Sequence, residues 1–125
     1  MDMKSIPAEF EKLWEQAGEL AASDPSAEQV ITMWTAKGHI RGLLNHGVNS
    51  GDTAGEEAFI RELAENGDTE ISYVVCMWRD HTLDVPSHHL RESLAELNPA
   101  NPEAKLLLRS GEGFLVKPLR VLTGK

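Results

Sequence analysis

Apolar residues recur along the first part of the chain at the spacing of a single helical face. Ile6, Phe10, Leu13, Trp14, Ala17, Leu20 and Ala21 fall three or four positions apart, and Glu9, Glu11, Lys12, Glu15 and Glu19 fill the opposite side. The pattern predicts a helix over residues 5–22, with Pro7 in the first turn, where its missing N–H costs nothing. A second helix is predicted over residues 26–46. Ser26 and Gln29 have the spacing of a capping box, and Val30, Met33, Trp34, Ile40, Leu43 and Leu44 supply an apolar stripe. Gly38 and Gly42 lie inside that segment. Each costs about 1 kcal/mol relative to alanine in a helix, which close packing against another backbone would have to offset. After the turn-rich loop HGVNSGDTAG, Thr53 and Glu56 repeat the capping-box spacing and open a third helix over residues 54–66, burying Phe59, Ile60 and Leu63.

From residue 71 the pattern changes. EISYVVCMW is β-branched and aromatic and predicts a strand over residues 71–79. Ser87, following Pro86, is a natural N-cap for a fourth helix over 87–97 that carries Leu90, Leu94 and Leu97 on one side. KLLLR and FLVK flank SGEG and predict a β-hairpin, in which Pro118 marks a strand end or a sheet edge. Helices come first and strands second. The expectation is an α+β fold: an N-terminal three-helix segment packed with antiparallel β-hairpins and a fourth helix, in the order α-α-α-β-β-α-β-β, as one domain over 1–125.

The chain has 125 residues, 41% hydrophobic and 26% charged. That is enough to bury a core without a disulfide or a metal, and its single cysteine, Cys76, allows no internal disulfide. The start shows no apolar run of a secretory signal, and the longest purely apolar run, YVVCMW, is far short of a membrane span. A cytoplasmic protein without a membrane partner is expected. The net charge of −8 speaks against a nucleic-acid partner, because counterion release needs a basic surface. The charge is uneven: residues 1–70 hold 14 acids and 5 bases, whereas residues 98–125 hold 2 and 5.

Chemistry concentrates in WRDHTLDVPSHHL, residues 78–90, which holds three of the five histidines and follows Cys76. If Asp80 and His81 are the centre of a two-residue turn, Trp78 faces Leu83 and Cys76 faces Val85. Val74, Cys76, Trp78, Leu83 and Val85 then share one apolar face. That register hides the thiol and puts His81 and His88 at opposite ends of a strand. The competing reading makes Cys76, His81, His88 and His89 metal ligands, as C-x4-H-x6-H-H, which matches no closed zinc spacing. His39 and His46, two turns apart on the predicted second helix, are too far separated for one ion.

No G-x-S-x-G, no S-x-x-K and no lysine-bearing phosphate loop is present. With no catalytic residues or cofactor assigned, the chain reads as a small non-enzymatic interaction or regulatory protein that self-associates as a homodimer, or binds another protein, through the apolar, basic FLVKPLRVL edge. Two alternatives stand beside it. One is a metal-dependent enzyme or metal sensor using the histidines of residues 81–89. The other is a small-molecule binding domain with a pocket lined by Trp14, Trp34 and Trp78.

Overall fold

The computed structural model describes residues 6–46, 51–111 and 113–120. Helix α1 (Ala8–Ser23) leads into strands β1 (Gln29–Thr35) and β2 (Ile40–Asn45). Helix α2 (Ala54–Glu65), strand β3 (Ile71–Trp78) and helix α3 (His88–Leu97) follow. A short 3-10 turn at Asn101–Glu103 precedes strands β4 (Lys105–Ser110) and β5 (Gly113–Pro118). The five strands form one sheet in the order β2-β1-β3-β4-β5. β1 runs antiparallel to both β2 and β3, β3 parallel to β4, and β4 antiparallel to β5. The class is α+β, but the order is α-β-β-α-β-α-β-β. This corrects the expected three N-terminal helices followed by separate antiparallel hairpins.

The correction lies in two places: residues 26–46 form a hairpin instead of a helix, and residues 82–85, expected as the second strand of a hairpin with β3, make only one isolated bridge, Leu83 with Met77. Val30, Ile31, Thr32 and Met33 are all buried in succession, as happens in a central strand covered on both faces. A short apolar run of this kind fits a buried strand and a buried helix equally well by periodicity. Its β-branched content and Gly38, at φ 87° in the connecting turn, decide for the strand pair. There the Thr35 N–H donates to the His39 carbonyl at 2.8 Å and the Gly38 N–H to the Thr35 carbonyl at 2.9 Å. Ser26 caps no helix. Its N–H and Oγ–H both donate to Asp24 Oδ1, at 3.1 and 2.6 Å, closing the turn after α1.

Side chains alternate across the sheet and build two cores. Val30, Val75, Met77 and Leu107 face α1, which contributes Phe10 and Leu13. Ile31, Met33, Val74, Cys76 and Leu106 face α2 and α3, which contribute Phe59, Leu63, Leu90 and Leu94. Burying each of the larger side chains contributes roughly 1.5–3 kcal/mol. The sheet is thus covered on both faces, and β2 and β5 are its edges. Pro118 ends the edge strand β5. The last part of FLVKPLRVL, residues 121–125, lies outside the described residues, as do residues 47–50 of the predicted loop. No helix among the described residues is long and apolar enough to cross a membrane.

The turn after β3 differs by one residue from the expected register. Trp78 N–H donates to the Thr82 carbonyl at 2.9 Å, and Met77 pairs with Leu83. Arg79, Asp80 and His81 therefore form a three-residue connection, with His81 at φ 73°. The one-residue slip sends Leu83 to the α1 side with Met77, while Cys76 and Val85 stay on the α2/α3 side.

Candidate functional site

Two helix N-termini meet beside the end of β2. Pro86 sets an extended entry into α3, and Ser87, at φ −58° and ψ 156°, is the N-cap. Its Oγ accepts from the Leu90 N–H at 3.1 Å. The same hydroxyl donates to Glu56 Oε2, in the first turn of α2, at 2.8 Å. Asn45, the last residue of β2, donates from Nδ2 to that same Oε2 at 2.9 Å. Three elements far apart in sequence thus converge on one carboxylate oxygen.

Glu56 is only 3% exposed, and its other oxygen, Oε1, is buried with no hydrogen-bond partner among the described residues. No lysine or arginine pairs with it among the described ion pairs. A buried carboxylate normally has a charge partner or full hydrogen bonding, and an unsatisfied polar atom costs on the order of 1–3 kcal/mol. The positive ends of two helices offset part of that cost. Ala54 and Gly55, in the same turn as Glu56, are exposed. His89, in the first turn of α3, adds a second orphan: its Nε2 is buried without a hydrogen bond, 3.6 Å from Glu57 Oε2.

Serine beside a carboxylate outlines a nucleophile and a base. Here the hydroxyl is committed on both sides, accepting from the Leu90 N–H and donating to Glu56. No histidine lies between them to serve as the stronger base that activates a serine hydroxyl. What the arrangement offers chemically is a fixed, dry hydrogen-bond acceptor at Oε1.

The sequence-predicted metal candidates are not gathered. Cys76 is buried in the α2/α3 core, His81 is exposed at the turn, and His88 is exposed on α3 with Nε2 3.0 Å from Glu92 Oε2. No group of three or more His, Cys, Asp or Glu side chains able to hold an ion occurs among the described residues. Burial pushes the Cys76 thiol well above its ordinary pKa, and the negative charges of Asp84 and Glu56 push the same way. Among the cavities lined by the described residues, none gathers the three tryptophans. Trp34 borders an open groove of about 560 Å³ with Lys12 and Tyr73, Trp14 packs edge-on against Phe114, and Trp78 donates from Nε1 to Asp84 Oδ2 at 2.7 Å.

His39 and His46 flank strand β2 rather than sharing a helix. His46 Nε2 lies 2.8 Å from Asp24 Oδ2. His39 Nδ1 lies 3.0 Å from Asp68 Oδ1, and Arg41 Nε donates to Asp68 Oδ2 at 2.7 Å. Burial alone would raise the pKa of Asp68, but the hydrogen bonds from Arg41 and His39 outweigh it and hold the carboxyl below its ordinary value.

Sequence reasoning missed the site itself. It read Glu56 as the far end of a capping box, Ser87 only as a cap, and Asn45 as part of a helix. In the structure Thr53 makes no side-chain cap; its Oγ1 donates to Glu57 Oε2 at 3.1 Å.

Compared with protein-family models and with curated proteins by sequence, the chain matches none. Its shape does match solved structures. Cytidine deaminase from Mycobacterium leprae superposes with a TM-score of 0.65 at 17% identity, over 90% of this chain and 94% of that one. Cytidine deaminase from Bacillus anthracis gives 0.67 at 16% identity, over 89% and 84%. Cytidine deaminase from Mycobacterium tuberculosis gives 0.61 at 16% identity, over 90% and 91%. These neighbours are enzymes, which overturns the expectation of a non-enzymatic interaction or regulatory protein. The alternatives built on a chemical site are better supported.

Zinc-dependent nucleobase deaminases carry the signature H-x-E…P-C-x-x-C, in which the glutamate is the general acid/base and the His and two Cys hold the metal. With Glu56 as the glutamate and Pro86 as the proline, the ligand positions are Ala54, Ser87 and Leu90. The hydrogen bond between Ser87 and Glu56 brings the two halves of that pattern together in space. A methyl group, a hydroxyl already committed twice and a fully buried isobutyl group are not a zinc donor set. What the chain has in common with these enzymes is the cytidine deaminase fold, with side chains at positions 54, 87 and 90 that do not suit a catalytic zinc ion.

Proposed function

We propose that this chain uses the cytidine deaminase fold to bind a small heterocycle of the nucleobase or nucleoside class at Glu56, and that it does so without zinc-assisted hydrolysis. The reading keeps the small-molecule alternative and moves its site from the tryptophans to the junction of α2 and α3. The observation that carries it is Oε1 of a nearly inaccessible carboxylate, orphaned among the described residues. A lone carboxylate oxygen accepts only, so its complement is an N–H or O–H donor. The exocyclic amine of cytosine is such a donor, and the likeness to cytidine deaminases supports that ligand class. His89, whose Nε2 makes no hydrogen bond and lies 3.6 Å from Glu57 Oε2, brings a second polar group to the first turn of α3. The residue types at 54, 87 and 90 support the second half of the reading, because no activated water is formed without donors to hold the metal.

Titration of isotope-labelled protein with cytidine, cytosine and uridine tests this. Cytidine and cytosine are expected to shift the amide resonances of Glu56, Ser87 and His89. Uridine, which presents an oxygen where cytidine presents the amine, is expected to shift them less. Glu56→Gln should weaken binding about tenfold, the loss of one charge-assisted hydrogen bond. No shift at millimolar ligand, or release of ammonia from cytidine by the purified chain, would end the reading.

A further inference from the structure

The two oxygens of Glu56 have different surroundings. Oε1 is orphaned, while Oε2 is held by Asn45 at the end of β2 and by Ser87 at the N-cap of α3. Glu56 itself belongs to α2. One atom therefore ties together a strand and two helices, and the three positions where a deaminase signature would put metal ligands fall at the N-terminal ends of those two helices. Ala54 is two residues before Glu56, and Ser87 and Leu90 are joined by the capping hydrogen bond.

A bound zinc ion cross-links the elements that supply its ligands and so contributes to holding them together. We propose that in this chain the Asn45–Glu56–Ser87 cluster does that mechanical work in place of a metal, and that the fold is metal-independent. The residue types agree with the assignment at each position. Ser87 keeps a hydrogen-bonding atom where a thiolate would be, and uses it to reach Glu56. Leu90 is 0% exposed and packs in the α2/α3 core with Leu94 and Cys76, filling with hydrocarbon the place of a second thiolate. Ala54 has no polar side-chain atom, and the Ala54 N–H is satisfied from outside by Asp52 Oδ1 at 3.0 Å. This inference rests on Oε2 and on positions 54, 87 and 90, so it stands or falls separately from a ligand at Oε1.

The test measures metal content and melting temperature on the full chain. The wild-type protein, purified without a histidine tag, is expected to hold less than about a tenth of an equivalent of zinc and to melt at the same temperature with and without a strong chelator. A chelator-induced drop in melting temperature would overturn the proposal. Glu56→Ala should lower the melting temperature by at least about 5 °C. If that variant does not fold, Asn45→Ala, which removes the Nδ2 donor to Oε2, should lower it by less, and Ser87→Ala, which removes the other donor and the Leu90 cap, should lower it more than Asn45→Ala; unchanged melting of Asn45→Ala would overturn the proposal. The triple variant Ala54→His, Ser87→Cys, Leu90→Cys should take up about one equivalent of zinc and become chelator-sensitive. A folded triple variant that takes up none would overturn the placement of the three positions.

Discussion

Ser87 Oγ donates to Glu56 Oε2 across 2.8 Å, joining the cap of α3 to the first turn of α2 over a separation of 31 residues. Because the same oxygen also caps the Leu90 N–H, one small side chain both starts a helix and anchors it. Ser87→Ala should remove both functions together. Loss of the cap costs about 0.5–2 kcal/mol, and leaving Oε2 one donor short adds on the order of 1 kcal/mol. Urea unfolding should report a total of about 1.5–3 kcal/mol; a change below about 0.5 kcal/mol would mean that the hydroxyl does neither job.

Cys76 is sealed in the core, and burial raises its thiol pKa, with Asp84 and Glu56 adding to the shift. The thiolate is the reactive form. The native protein should therefore resist thiol reagents at pH 8, and the thiol should react once urea unfolds the chain. The linkage has a definite sign. As pH rises past the ordinary thiol value near 9, the unfolded chain releases this proton while the folded chain keeps it, so this group makes stability fall with increasing pH. Fast labelling of the native protein in the absence of denaturant would contradict the burial.

Asp68 has no side-chain exposure and accepts from both Arg41 and His39. Its carboxyl is held below the ordinary value of 3.8. The stability it contributes is present above that value and is lost as pH falls through the lower, folded-state pKa. Acid titration of Asp68→Asn should show a shallower loss of stability below about pH 4 than the wild-type chain shows. It should also show lower stability at pH 7, because Arg41 then loses its charged partner. Equal stability of the two proteins at pH 7 would argue against the pairing.

Two turn residues adopt left-handed backbone conformations with opposite consequences. Gly38, at φ 87°, makes the β1–β2 turn. Gly38→Ala should cost about 1–2 kcal/mol, the penalty of placing a Cβ in that region, although no heavy atom lies near the added carbon. His81, at φ 73°, already carries such a penalty. His81→Gly should therefore stabilise the chain, offset in part by the greater freedom of glycine in the unfolded state. Thermal unfolding of both variants checks the pair, and a stabilising Gly38→Ala would show that residues 36–39 do not form this turn.

Local periodicity and end signals were enough for α1, α2, β3, α3 and the β4–β5 hairpin. Each of those segments carries either a clear helical face of 10 or more residues or a short apolar run bounded by turn residues. Residues 29–45 were not legible in the same way. A central strand buried on both faces shows no alternation of polarity, so Val30 to Met33 read equally as a helix. The parallel pairing of β3 with β4 was hidden as well, since it joins segments that other elements separate.

The sequence by itself determined which segments are helical or extended at their clearest, the cap at Ser87, the acidic balance and the dry setting of the cysteine. Only the tertiary structure decided that Asn45, Glu56 and Ser87 meet. Each of the three has an ordinary local explanation: strand end, first-turn acid, helix cap. Their significance lies in distances between residues far apart along the chain, and those are set by how the sheet and two helices pack. Spacing signatures read a site through its ligands, and Ala54, Ser87 and Leu90 are residue types that no such signature picks out.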